Sequence, residues 1–193
     1  MARQTDQSVC WYIRDIKNTR TSILEHAKLI TIELGEVPSL NAVAKAAGVS
    51  KGGLIHHFPS RQALLEALVK QAIDEVDLAL DVAVEQGTLL RTWLDLSVPH
   101  PSESALFRSL ATTFFAVSSH QASITNLVAD ANRRWESALE GDLGSADLAR
   151  VARLLADGLL LGAIGGTITE QNADEHVTAA HSALIVLRAD TQP

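Results

Sequence analysis

The run Ser50-Lys51-Gly52-Gly53-Leu54-Ile55-His56-His57-Phe58-Pro59-Ser60-Arg61 holds the densest set of chemically able groups in this chain of 193 residues. An ammonium, a guanidinium, two imidazoles and two hydroxyls stand beside two adjacent residues without side chains. Cations and hydroxyls at this spacing suit the binding of a polyanion such as a nucleic-acid backbone, where each contact releases a counterion. They do not suit catalysis, because no nucleophile is paired with a base and an orienting group. The histidines His26, His100, His120, His176 and His181 are scattered along the rest of the chain. His176 and His181 are five apart, whereas two ligands on one helical face need a spacing of three or four. Cys10 is the single cysteine, which excludes an internal disulfide and a cysteine-based zinc site. We therefore expect no catalytic residue, no metal and no cofactor, and hence no enzyme.

These groups must be held by helices, since apolar residues recur at helical spacing throughout and little reads as strand. The fold class expected is all-α. The spacing predicts a first helix over Thr19–Leu34, with Ile23, Leu24, Ala27, Ile30 and Leu34 inward and Gly35 closing it. Ser39 is placed to cap a short helix, about Leu40–Ala47, with Val43, Ala44 and Ala47 inward. Gly48-Val49-Ser50 makes a turn, and Ser50 can cap a third helix over Lys51–His57. Two short helices joined by Ala47-Gly48-Val49-Ser50 fit a helix-turn-helix, with Val49 plugging the gap between them. Ser60 can cap a long fourth helix with a stripe of Leu64, Leu68, Ala72, Val76, Leu80 and Val84. Helices this short cannot stand alone in water, so the first and fourth must clamp them. Gly52 and Gly53 each cost the third helix roughly 1 kcal/mol against alanine, which close backbone approach to a partner would explain. Further helices are expected near Thr88–Ser97, Ser102–Ser118, Ala122–Leu139, Ala146–Ile168 and Asp174–Ala189, with a break at Gly141–Gly144.

The net charge of −7 argues against a polyanion until its distribution is read. Residues 1–70 carry nine Lys/Arg against six Asp/Glu, and residues 71–193 carry seven against seventeen, so a local +3 is followed by −10. Binding needs a local basic surface, not a basic whole. The longest apolar run, Leu154–Ile168, is interrupted by Asp157 and four glycines, whereas a membrane span needs ~20 mostly apolar residues. The N-terminus shows no secretory pattern. A cytoplasmic protein without membrane contact is expected.

The residues Ile23-Leu24, Ala27, Gly35, Val43-Ala44, Ala47-Gly48-Val49-Ser50, Lys51-Gly52, Leu54, His57-Phe58, Ser60-Arg61 and Leu64-Leu65 resemble the tetracycline-repressor (TetR) family of regulators. The phrase from Gly53 to Arg61 is also similar to a multidrug-responsive branch of that family. The resemblance implies an all-helical homodimer and a repressor that a small lipophilic ligand releases from a palindromic operator in double-stranded DNA. On this basis residues 1–17 are an N-terminal extension, 18–66 the DNA-binding domain, and 67–193 the larger ligand-binding and dimerisation domain. The extension is either a docked helix or a frayed arm. One position departs from the pattern: Ile55 stands where the family often has a tyrosine that touches the DNA backbone.

The DNA-binding candidates are Ser39, Ser50, Lys51, Gly52, Gly53, His56, His57 and Arg61. For Lys51 and Arg61 the competing reading is solvated surface charge; for His57 it is packing of the turn before Phe58. Arg14, Lys17 and Arg20 either follow the DNA backbone or lie on a solvated face. Trp93, Phe107, Phe114, Phe115 and Trp135 are either core or the lining of an effector pocket. Asp157, inside an apolar helix, needs a partner: Arg153 one turn earlier, or a lipophilic cation bound as effector. A neutral or anionic metabolite is the alternative effector. Gly158, Gly162 and Gly166 recur every four residues and share a face, which suits a close helix crossing between subunits, with looseness near a helix end as the alternative. A rival function is a helical ligand carrier or adaptor that never touches DNA, but such a protein has no use for the basic, glycine-paired helix at Ser50–His57.

Overall fold

The computed structural model describes residues 19–31, 33, 37–98 and 122–191. The N-terminal extension, Gly35, the helix expected near Ser102–Ser118, and with it Phe107, Phe114 and Phe115, lie outside the described residues. Among those described there are eight helices and no strand. They are α1 over 19–31, α2 Leu40–Ala46, α3 Lys51–His57, α4 Arg61–Gln86, α5 Leu89–Leu96, α6 Ala122–Leu143, α7 Ala146–Ile164 and α8 Ala173–Thr191. None of the described helices is long and apolar enough to cross a membrane.

Two cores form. Ile23, Leu24 and Ala27 of α1 meet Val43 and Ala44 of α2, Leu54 of α3, Phe58, and Leu64 and Leu68 of α4. Burying such side chains contributes roughly 1.5–3 kcal/mol each. That burial holds two seven-residue helices which would melt in isolation. The larger core joins the far end of α4, through Leu80 and Ala83, to Leu89, Leu90, Trp93 and Leu94 of α5, and to residues of α6, α7 and α8. A third, small cluster links the two: Val37 before α2, Leu65 on α4 and Ile124 near the start of α6 are all buried together. Beside it the Ser123 hydroxyl donates to Glu66 at 2.5 Å.

Several expectations change here. The α4 stripe ends one residue early: Ala83 is buried and Val84 is 56% exposed. Steps of four residues at ~100° each drift by about 40° per step, so the stripe from Leu64 has rotated by about 200° on reaching Val84. α6 does not break at Gly141 but runs on to Leu143, because Gly141 sits where a helical conformation is available; the chain turns at Gly144, whose φ is +72°. α7 ends at Ile164, four residues short of the expected Ile168. Gly166 therefore lies past the helix and does not share its face. Gly162 does make a close crossing, but with its own chain. A Cβ there would come within 2.8 Å of Ile168 Cδ1, since residues 165–168 fold back over the end of α7.

Candidate nucleic-acid interface

The turn between α2 and α3 is built from local hydrogen bonds. The Ser39 hydroxyl accepts from the Ala42 N–H at 3.2 Å and starts α2. At its end the Gly48 N–H reaches back to the Lys45 carbonyl and the Val49 N–H to the Ala44 carbonyl. This double closure needs a left-handed residue after the cap, and Gly48 supplies it at φ +66°. Val49 then packs its side chain against the small core, as the plug between the helices requires. The Ser50 hydroxyl accepts from the Gly53 N–H at 3.0 Å and starts α3. Ser60 does the same for α4 through the Ala63 N–H.

α3 has two distinct faces. Leu54 and the following Phe58 are buried and pin it to α1 and α4. Lys51, Gly52, Ile55 and His56 point outward and are exposed, with Gly53 and His57 half-buried at the edges. The guanidinium of Arg20 lies over the Phe58 ring, 4.9 Å from its centroid. The imidazole rings of His56 and His57 meet edge to face at 5.4 Å. Burial holds the His57 pKa below its ordinary value, and the nearby His56 and Arg20 push it the same way. His57 is therefore neutral at pH 7 in the absence of a partner. Arg61 is exposed at the start of α4, yet one of its nitrogens donates to the Val37 carbonyl. Part of its donor capacity thus secures the segment that precedes α2.

Charge pairing separates this surface from most of the other described cations. Lys28, Lys70, Arg91, Arg133, Arg134, Arg150 and Arg153 each sit on a carboxylate. Arg20, Lys45, Lys51 and Arg61 have no carboxylate partner among the described residues. Lys45, exposed in the last turn of α2, was absent from the sequence-based candidates. A sharper signal would have found it: residues 37–65 contain three Lys/Arg and not one Asp or Glu.

The candidates for an effector pocket are placed differently. Trp93 is buried in the large core, 5.5 Å from Trp135 between ring centroids, and its N–H donates to the Ala152 carbonyl. The Trp135 N–H donates to Asp77 on α4 at 2.6 Å, and Arg134 donates to the other oxygen of the same carboxylate. Asp157 is not buried within an apolar helix: its side chain is 52% exposed and accepts from Arg153 at 2.8 Å. It lies where α7 faces outward. Partial burial still raises its pKa, and Arg153 pulls it back down.

Comparison with known proteins agrees with this architecture. A family model described as "Bacterial regulatory proteins, tetR family" matches residues 38–68. A second, "Tetracyclin repressor-like, C-terminal domain", matches residues 87–185. The chain is similar to the HTH-type transcriptional regulator UidR of Escherichia coli K12, with 43% identity over 54 residues. That match covers 28% of this chain and 28% of the relative's length. The fold is similar to that of a TetR-family regulator from Rhodococcus sp., with TM-score 0.66 and 20% identity over 86% of this chain and 98% of the other. A regulator from Streptomyces coelicolor gives TM-score 0.67 and 19% identity over 91% of this chain and 84% of the other. The capped α2–α3 pair and the helical body behind it are thus the two parts of one architecture, and the chain belongs to the TetR family of helix-turn-helix, DNA-binding transcriptional regulators.

Proposed function

We propose that the protein is a cytoplasmic, non-enzymatic repressor that holds a palindromic operator as a homodimer and leaves it when a small lipophilic ligand binds. The observation that carries the DNA-contact surface is the grouping around α2 and α3 of Arg20, Lys45, Lys51 and Arg61, cations without a carboxylate partner among the described residues. In this reading α3 enters the major groove. Lys51, His56, His57 and the remaining donors of Arg61 meet phosphates, Ser39 and Ser50 position the two helix starts, and Gly52 and Gly53 let the backbone approach closely. The DNA-binding unit is residues 18–66 and the ligand-binding and dimerisation unit 67–193.

Dimerisation falls to α7 and α8. Val151, Leu154 and Leu161 on α7 and Ile185, Val186 and Leu187 on α8 are exposed apolar side chains of the kind a helical subunit interface buries. Gly158 lies among them with open space where a Cβ would go. Gly158→Leu therefore tests the interface without the internal clash that Gly162→Leu would cause. The effector is lipophilic and enters the helical body. With Asp157 half-exposed and paired to Arg153, nothing at that carboxylate selects a cation over a neutral or anionic metabolite. Operator DNA and effector must weaken each other's binding by the same factor.

The test is a titration of operator affinity against salt. Lys51→Ala and Lys45→Ala should each flatten the logarithmic slope by about one unit per protomer, hence about two for the dimer. Unchanged slopes would remove both lysines from the contact surface.

A further inference from the structure

The outward face of α3 is poor in hydrogen-bonding groups. Four of its residues are exposed, and of these Gly52 offers no side chain and Ile55 no donor or acceptor. Lys51 stands at the first position of the helix and His56 near its end, beside the half-buried His57. The centre of the face is Ile55, 40% exposed, with Lys51 one turn before it and no side chain at Gly52 to cover it. Gly52 and Gly53 add no side chain just ahead of Ile55, so nothing from the preceding turn covers it.

In the major groove the C5-methyl of thymine is the one apolar group that projects from a base edge; besides flush C–H positions such as cytosine C5–H, the other groups are donors and acceptors. A donor or acceptor placed against Ile55 would lose its water and gain no partner, whereas a methyl loses nothing. Isoleucine is also stiff in a helix, where one χ1 rotamer dominates, so its methyl groups have a defined position from which to discriminate.

We propose that Ile55 is a specificity-determining residue that reads a thymine C5-methyl in each operator half-site. This rests on the reading above that places α3 in the major groove.

The experiment uses the full chain and a site it selects from random duplex DNA. Each thymine of the half-sites is replaced in turn by 2′-deoxyuridine, which removes the methyl and leaves the Watson–Crick edge intact. Affinities are measured at fixed salt for wild type, Ile55→Ala and Ile55→Val, with thermal melts to confirm that the variants are folded. At one thymine position per half-site, methyl removal should weaken wild-type binding by roughly 4-fold per half-site, the scale of one buried methyl group. Ile55→Ala should bind the thymine operator more weakly and be indifferent to the methyl, and Ile55→Val should fall between. If no deoxyuridine substitution weakens wild type, or the methyl effect persists in Ile55→Ala, the inference is overturned while DNA binding stands. If no site is selected at all, the regulator reading itself fails and this inference with it.

Discussion

The surface around α2 and α3 and the helical body handle positive charge differently. Around α2 and α3, Arg20, Lys45, Lys51 and Arg61 have no carboxylate partner among the described residues. In the body Arg91 bridges Asp95 and Asp174, tying α5 to α8, and Arg153 bridges Glu136 and Asp157, tying α6 to α7. Exposed pairs of this kind contribute only ~0–1 kcal/mol each to stability, so their presence is not what holds the body together. What the difference teaches is where the chain expects an external anion. An unpaired cation on the surface costs little in water and is available to phosphate; a paired one must first break its pair.

The most damaging single change should be in the small core. Phe58 is 1% exposed and is the largest side chain in the cluster that clamps α3. Phe58→Ala should destabilise the N-terminal unit by about 3–5 kcal/mol. Operator binding should vanish while the dimer of the body persists in light scattering. If the dimer is lost too, the two regions are not separate in stability, and the comparison fails at its root.

Next in size is the joint. Ile124 is buried against Val37 and Leu65, where the body touches the DNA-binding unit. Ile124→Ala should cost about 2 kcal/mol or more, and it should move the melts of the two regions further apart. A single sharp transition at lower temperature would show that the large core, through the continuous α4, couples the regions without this cluster.

A smaller effect concerns pH. Burial, with help from His56 and Arg20, lowers the His57 pKa below the unfolded value. A lowered pKa opposes protonation of the folded chain, so the contribution of His57 to stability falls as pH drops through 6.5 toward the folded pKa. Phosphate contact would raise the pKa again. Operator affinity should therefore rise as pH falls from 8 to 6, while the unbound protein becomes slightly less stable. His57→Gln should flatten both trends. A flat affinity profile for wild type at constant salt would leave His57 as packing for the turn.

The smallest effect is the control. Arg150 pairs with Asp147 and Glu136 on the body. Arg150→Ala should change stability by less than about 1 kcal/mol and leave operator affinity unchanged. An affinity loss equal to that of Lys51→Ala would erase the distinction between the two sets of cations.

The two regions also differ in how far the sequence reveals them. Ser39, Ser50 and Ser60 act as the caps their positions suggest, and α3 spans Lys51–His57 as its flanking signals indicate. Those signals are local: a hydroxyl, a glycine and a buried residue a few positions apart settle the turn. In the body the decisive facts are not local. Gly162 has a close neighbour within its own chain, Ile168, which lies in the loop beyond the helix end and out of reach of any periodicity argument. Asp157 lies among apolar residues in sequence yet half-exposed in space, because α7 presents one side outward. Trp93 and Trp135 would read alike as pocket or core. Both pack at the large core with their N–H groups bonded to Ala152 and Asp77, an arrangement that depends on residues far away in sequence. Helical periodicity says that a face is apolar, not what covers it.

The central claim is that the outward face of α3, together with the cations around it that have no carboxylate partner among the described residues, holds specific DNA. The most direct test is to let the purified full-length chain select fragments from its own genome and to repeat the selection with Lys51→Ala and Lys45→Ala combined. The account predicts enrichment of a site with two inverted half-sites about one helical turn apart between centres, or a multiple of that spacing, and loss of enrichment in the double variant at the same salt. Contradiction would be the absence of any enrichment over random DNA, or a double variant that enriches the same site as strongly as wild type.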